Sequence, residues 1–288
     1  MRTMPDAPAL HLTAIDSHAH VFSRGLNLAS QRRYAPNYDA PLGDYLGQLR
    51  AHGFSHGVLV QPSFLGTDNR YLLSALQTVP GQLRGVVMLE RDVEQATLAE
   101  MARLGVRGVR LNLMGQDMPD LTGAQWRPLL ERIGEQGWHV ELHRQVADIP
   151  VLVRALQPYG LDIVIDHFGR PDARRGLGQP GFAELLTLSG RGKVWVKVSG
   201  IYRLQGSPEE NLAFARQALC ALEAHYGAER LMWGSDWPHT QHESEVSFGS
   251  AVEQFEALGC SAQLRQALLL DTARALFGFE LEHHHHHH

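Results

Sequence analysis

Thr13-Ala14-Ile15-Asp16-Ser17-His18, followed at once by Ala19-His20, is the stretch from which the fold is read. It is a short β-rich run that ends in polar side chains, and longer amphipathic sequence follows it. The same unit recurs along the chain. Strands are expected near 13–18, 57–61, 84–89, 106–112, 138–143, 161–167, 193–199 and 231–236, with helical segments between them. Strands alternating with helices from end to end call for a parallel sheet joined by right-handed crossovers. Eight units favour closure into a (β/α)8 TIM barrel over an open doubly wound sheet, and no Gly-rich dinucleotide fingerprint follows the first strand.

Helix punctuation agrees. Leu98 to Leu104 holds helix formers before a stop at Gly105, and Glu209 to Tyr226 follows Ser207-Pro208, a cap with a first-turn proline, and ends at Gly227. The 288 residues exceed the usual single-domain size, but an α/β barrel needs roughly 250 residues and remains one domain. One barrel is therefore assigned to residues 9–280. Leu281-Glu282 and the six histidines after them read as an expression tag at 281–288, which leaves eleven of the 17 histidines to the protein itself.

With 44% hydrophobic and 20% charged residues, the composition is that of a folded enzyme rather than a disordered chain. A net charge of -5 with no basic block argues against a nucleic-acid partner. Cys220 and Cys260, both in helix-like stretches, argue against a disulfide framework or a multi-cysteine zinc site and fit a reducing cytoplasm. Met1 to Pro8 has no apolar core of signal-peptide length, and no run approaches the roughly 20 apolar residues of a membrane span. A cytoplasmic protein with a small-molecule substrate and no membrane partner is expected, and a homo-oligomer is left open.

In a parallel barrel the loops after the strands share the C-terminal face, where active sites lie. Phe22 to Pro41 and Arg170 to Gly181 are long loops of that kind, suited to a lid or a substrate wall. Side chains two apart on a strand project to one side, so His18 and His20 can meet one ion, although His-x-His alone has other uses. Partners close other strands: His143 the fifth, His167 the sixth and Asp236 the eighth. Nitrogen and carboxylate ligands suit a zinc-like divalent ion, which with an open position can acidify water. Asp236-Trp237-Pro238 also reads as the start of a helix with Asp236 as its cap, and His167 as a core histidine. Arg110 and Arg203 can grip a substrate carboxylate by paired hydrogen bonds, the plainer reading being exterior salt bridges. Ser63, Asn112, Tyr202 and His239 offer groups that bond hydroxyls, while Trp237, His239 and Phe22 offer an apolar wall. Such residues also serve turns and packing.

These residues in this order, with Trp233-Gly234-Ser235-Asp236-Trp237-Pro238, resemble the amidohydrolase superfamily over nearly the whole chain. Gln61-Pro62-Ser63 before Gly66-Thr67-Asp68-Asn69, Gly105-Val106-Arg107-Gly108-Val109-Arg110, and Asp166-His167-Phe168-Gly169-Arg170-Pro171 are similar to the amidohydrolase-related lactonases, which include 2-pyrone-4,6-dicarboxylate and sugar-lactone hydrolases. The resemblance implies hydrolysis of a cyclic ester. Asp236 would be the general base toward water, His143 and His167 further catalytic groups, and Arg110 and Arg203 the carboxylate grips. One divalent ion, zinc foremost, would lie on His18, His20, His143 and Asp236.

Three departures qualify this. The carboxylated lysine that usually bridges two metals from strand four is absent from Val106 to Asn112, so the resemblance implies a single ion or none. The pyrone-dicarboxylate branch works without metal and lacks the strand-five histidine, whereas this chain has His143, which favours a retained ion. That branch also carries another arginine after strand four. Here the sequence is Met114-Gly115-Gln116-Asp117-Met118, which points to a less anionic lactone such as that of a sugar acid. A metal-dependent decarboxylase of an unsaturated or aromatic acid is the alternative reaction. A binding barrel without catalysis is disfavoured, because five inward polar residues are costly to hold without metal or hydrogen bonds.

Overall fold

A computed structural model of the chain describes residues 10–25, 28–29, 35–191 and 193–279. The segment read as a tag, 281–288, lies outside the described residues, as do parts of the loop expected at 22–41. Among the described residues the strands are β1 (Ile15–Ala19), β2 (His56–Val60), β3 (Leu83–Val87), β4 (Val106–Asn112), β5 (His139–His143), β6 (Asp162–Ile165), β7 (Val194–Lys197) and β8 (Leu231–Met232). They form one parallel sheet in chain order. A helix follows each: α1 (Leu42–Ala51), α2 (Arg70–Thr78), α3 (Gln95–Leu104), α4 (Arg127–Glu135), α5 (Ile149–Leu156), α6 (Phe182–Thr187), α7 (Pro208–Tyr226) and α8 (Phe248–Glu256), with α9 (Ala262–Gln266) and α10 (Thr272–Phe277) at the end.

β1 and the segment after β8 close the ring. The Ser17 N–H donates to the Trp233 carbonyl (3.2 Å), the Asp236 N–H to the His18 carbonyl (2.8 Å) and the His20 N–H to the Trp237 carbonyl (2.8 Å). The sequence-derived (β/α)8 barrel is the observed architecture. Ser207 and Glu210 form a reciprocal capping box at the start of α7, and Gly105 ends α3 with φ 115°, a backbone conformation that only glycine adopts without strain.

Three sequence expectations are corrected. β6 stops at Ile165 and β8 at Met232, so His167 and Asp236 lie beyond the strand ends, in turns with φ of 51° and 61°. Asp236 does not cap α8, which begins at Phe248 and is capped by Ser247. Cys260 lies between α8 and α9 rather than in a helix. No described helix is long and apolar enough to cross a membrane.

Strand alternation sorts the barrel interior into tiers. Inside the barrel Ile15, Val58, Val60, Val86, Val164 and Met232 form one apolar cluster with Phe277 and Phe279, each buried aliphatic side chain contributing about 1.5–3 kcal/mol. Two residues along the strands the inward side chains turn charged, and two further on they reach the C-terminal face. The β4–β5 register shows the ladder, with Gly108 beside His139, Arg110 beside Glu141 and Asn112 beside His143. Gly108 leaves room for the His139 ring, which a Cβ at that position would strike.

Asp16 ties the seam from outside. Its carboxylate accepts from the Tyr45 hydroxyl of α1 (2.9 Å), the Ser235 N–H (2.7 Å) and the Ser235 hydroxyl (2.6 Å), and burial raises its pKa to about 6 against these bonds. Next to it, a Cβ added at Gly234 would lie 2.6 Å from His18 Cβ and 2.7 Å from the His18 backbone nitrogen. Backbone cannot yield as a flexible side chain does. Gly234→Ala is therefore expected to cost about 1–3 kcal/mol in urea unfolding, and unchanged stability would show that the seam between β1 and β8 has slack.

Candidate active site

A cavity of about 280 Å³ opens at the C-terminal face, with Asp236 and His20 in its lining. Asp236 Oδ1 faces three imidazole nitrogens, His18 Nε2 at 3.8 Å, His20 Nε2 at 3.7 Å and His167 Nε2 at 3.9 Å. His18 and His20 share a side as the spacing requires, their ring centroids 5.0 Å apart. His20 Nδ1 is 2.7 Å from the Val60 carbonyl. A carbonyl only accepts, so Nδ1 carries the hydrogen and the Nε2 lone pair faces the site. His167 Nδ1 meets the Ser199 hydroxyl at 2.8 Å.

These donors fit a divalent ion. His18, His167 and Asp236 place ligand-type atoms within 4.8 Å of one another, and the three nitrogens stand at 3.7–3.9 Å from one carboxylate oxygen. Zinc bonds of about 2.0–2.1 Å in tetrahedral geometry need ligands about 3.4 Å apart, so the side chains would have to draw together around an ion. The bond from His20 Nδ1 to a carbonyl is the outer contact that metal-bound imidazoles ordinarily make.

His143 reaches the same face in a different role. Its Nδ1 lies 3.0 Å from Asn112 Oδ1, and its Nε2 lies 2.9 Å from a terminal nitrogen of Arg170. A guanidinium only donates, so the Nε2 lone pair is turned to Arg170. The ligand role expected of His143 falls geometrically to His167.

The other oxygen of Asp236 is held. Arg203 Nε donates to Oδ2 at 2.6 Å, the Tyr202 hydroxyl donates to the same atom, and Arg203 also reaches the Thr240 carbonyl at 3.0 Å. Burial alone would raise the Asp236 pKa, but the Arg203 guanidinium above all, with the His167 and His18 imidazoles, outweighs it and holds the carboxyl well below its ordinary range. Burial lowers the three other central imidazoles far below the usual histidine value, joined by Lys197 at His18 and by Arg110 and Arg170 at His143, and opposed by Asp236 at His167.

Ser63, Arg110, Asn112, Tyr202 and Arg203 line the cavity as expected of substrate contacts, and Arg170 joins them. His239 does not. It is buried behind Tyr202, its Nδ1 3.4 Å from the hydroxyl, and burial pulls its pKa down to about 4. Trp237 stacks on Tyr45 and Phe22 packs with Ala40, Phe64 and Leu65, so neither forms the apolar wall, which Phe64 supplies. The Gln61 to Asn69 motif serves the loop itself: Gln61 donates to the Gly66 and Asp68 carbonyls, and Asn69 to those of Thr67 and Met88.

Beneath the site lies a charged tier that the sequence reading passed over. Lys197 Nζ lies 3.0 Å from Glu141 Oε1 and 4.0 Å from Asp166 Oδ1, and Arg110 Nε donates to Asp166 Oδ2 at 2.8 Å. Burial opposes the ionisation of Glu141, but Lys197 above all, with the contact from His139, prevails and holds it down. Burial and the nearby Glu141 push Asp166 up against the pull of Arg110. The available signals were a lysine inside Val194-Trp195-Val196-Lys197-Val198, and Glu141 in phase with His139 and His143. Arg170 belonged to a recognised string but had been given no role.

An ionised carboxylate among imidazoles, at the C-terminal mouth of a (β/α)8 barrel, defines a hydrolase of the amidohydrolase type. The sequence profile of the Amidohydrolase family matches residues 15–279, and the chain belongs to that family. It is 31% identical over 291 residues to the 2-pyrone-4,6-dicarboxylate hydrolase of Comamonas testosteroni, covering 95% of this chain and 93% of the relative. It is 30% identical over 288 residues to the 4-sulfomuconolactone hydrolase of Rhizobium radiobacter, covering 96% and 94%. A crystal structure of a probable 2-pyrone-4,6-dicarboxylic acid hydrolase from Acinetobacter baumannii, with citric acid bound, superposes with a TM-score of 0.89 at 39% identity, covering 92% of this chain and 99% of that one.

The lowered histidines make stability pH-dependent. His18, His143, His167 and His239 resist protonation when folded, whereas an unfolded histidine titrates near 6.5. Below about pH 6.5 the unfolded chain therefore binds more protons, and stability falls with pH. The urea midpoint should be lower at about pH 5.5 than at about pH 7.5, because the four resisting rings outnumber Asp16 and Asp166, whose raised pKa values act in the opposite sense. Equal midpoints would show that these rings are already charged in the folded protein.

Proposed function

We propose that this chain is a lactone hydrolase that opens a small cyclic ester bearing anionic groups. The observation that carries the reading is Asp236, an ionised carboxylate with one oxygen clamped and the other facing three imidazoles, in a cavity also lined by Arg110, Arg170 and Arg203. Arg170 provides a third guanidinium although the segment after β4 has none, which moves the reading from a sugar lactone toward a more acidic one. The two curated relatives are named for a pyrone dicarboxylate and a sulfomuconolactone, consistent with such a substrate.

Guanidinium groups bind carboxylate or sulfonate by paired, charge-assisted hydrogen bonds and would set the ring over Asp236. Asp236 Oδ1 takes a proton from the attacking water, whose oxygen bonds to the carbonyl carbon. The ring C–O bond then breaks, and the departing oxygen takes up the proton that Asp236 received from the water. Tyr202 and Arg203 keep the base oriented, and His18 stands where it can meet the carbonyl oxygen as charge develops there. A divalent ion, zinc by its ligand type, would take Asp236 and the lone pair of His20, with His167 drawn in toward them, and would acidify water toward neutral pH.

Ring opening of pyrone- and muconolactone-type acids, followed by loss of their ultraviolet absorbance, tests the assignment. Asp236→Asn should lower kcat by about 10²–10⁴-fold with the fold retained. Arg170→Met should raise KM for a doubly charged lactone by about tenfold or more while sparing an uncharged one, as expected for loss of a hydrogen bond to a charged group. Release of carbon dioxide without ring opening would replace the hydrolase reading with a decarboxylase.

A further inference from the structure

We propose that Lys197 is a positioning residue that fixes the tautomer of His18, so that His18 turns an N–H rather than a lone pair toward the reacting centre. Lys197 is fully buried, and its Nζ has three close polar contacts: the Ser17 carbonyl at 2.8 Å, Glu141 Oε1 at 3.0 Å and His18 Nδ1 at 3.0 Å. With Asp166 Oδ1 at 4.0 Å and the Phe277 ring 6.0 Å away, every neighbour suits a cation. An ammonium has three N–H bonds and no lone pair. Its three hydrogens match its three contacts, and each partner must accept.

His18 Nδ1 is thereby required to present its lone pair to Lys197 at 3.0 Å rather than a hydrogen to Glu141 Oε2, which lies farther off at 3.5 Å, and this leaves the hydrogen of the neutral ring on Nε2. That nitrogen is buried without a hydrogen-bond partner among the described residues, and it lies 3.8 Å from Asp236 Oδ1. A buried donor without a partner is costly, and this one is turned to the point where the reacting group sits. His20 is set the opposite way by the Val60 carbonyl. The His-x-His pair is thus divided: His20 offers a lone pair suited to an ion, and His18, although its Nε2 lies within ligand reach of His167 and Asp236, offers in this tautomer a hydrogen suited to an oxygen and is not a ligand. The identity of that oxygen as a lactone carbonyl rests on the reading above, whereas the tautomer does not.

The test is ¹⁵N nuclear magnetic resonance of histidine-labelled, metal-free full-length protein without substrate, with His18 assigned by the signal lost in His18→Asn. The expected spectrum places the proton on Nε2 with Nδ1 as a hydrogen-bonded acceptor. A proton on Nδ1 overturns the proposal, whatever the enzyme hydrolyses. A paired variant, Lys197→Met with Glu141→Gln, removes both charges and avoids a stranded carboxylate. There the His18 proton should move to Nδ1, and kcat should fall at least tenfold with KM within about twofold, in line with the loss expected when an outer-shell partner is removed. A His18 signal identical to wild type in the folded variant would also overturn it.

Discussion

The pairing of Lys197 and Arg110 with Glu141 and Asp166, stacked across β4 to β7 under the cavity, is the constraint on which the site depends. Ions taken from water into a barrel core each carry a penalty of several kcal/mol, and removing one member of such a set typically costs about 3–5 kcal/mol because its partner is left uncompensated. The tier therefore tolerates little rearrangement. Above it, His18 leans on Lys197 and Glu141, and Arg110 reaches up into the cavity from its bond to Asp166. Below it, the valine-rich tier and Phe277 keep water away, which strengthens each of these interactions.

The upper tier is built differently. His167 and Asp236 stand past the ends of β6 and β8 in left-handed backbone, which costs a non-glycine residue about 1–3 kcal/mol. Surrounding bonds enforce that conformation. The Asp236 N–H is fixed to the His18 carbonyl, its carboxylate to Arg203 and Tyr202, and His167 to Ser199. Strain is thus concentrated where side-chain direction matters, while the unstrained strands below supply rigidity.

What the sequence made legible follows this division. Periodicity alone placed the eight strands and the polar residues at their ends, because alternation and chain order are local properties. It misplaced His167 and Asp236 by only a few residues, since no local signal marks where a strand yields to a positive φ. Partner choice was not legible. His143 resembled a ligand until Arg170 and Asn112 took its two nitrogens, and nothing in the sequence showed that Arg203, read as a substrate grip, also donates its Nε to Asp236. Lys197 and Glu141 went unread because their meaning lies in each other, across two strands 56 positions apart in the chain.

Asp236 poses the remaining chemical problem. The contacts that keep it ionised, above all Arg203, also make it a weaker base, since a lower pKa means less drive to take a proton. Water at its ordinary acidity would transfer a proton to such a group reluctantly, so the site has to raise the acidity of the water, stabilise the developing oxyanion, or both. The first falls to an ion on lone pairs like that of His20, the second to donors such as an N–H on His18. A His-x-His pair whose two rings are wired oppositely, one to a carbonyl and one to an ammonium, can serve both needs from adjacent positions on one strand. Two identical ligands there would serve only the first.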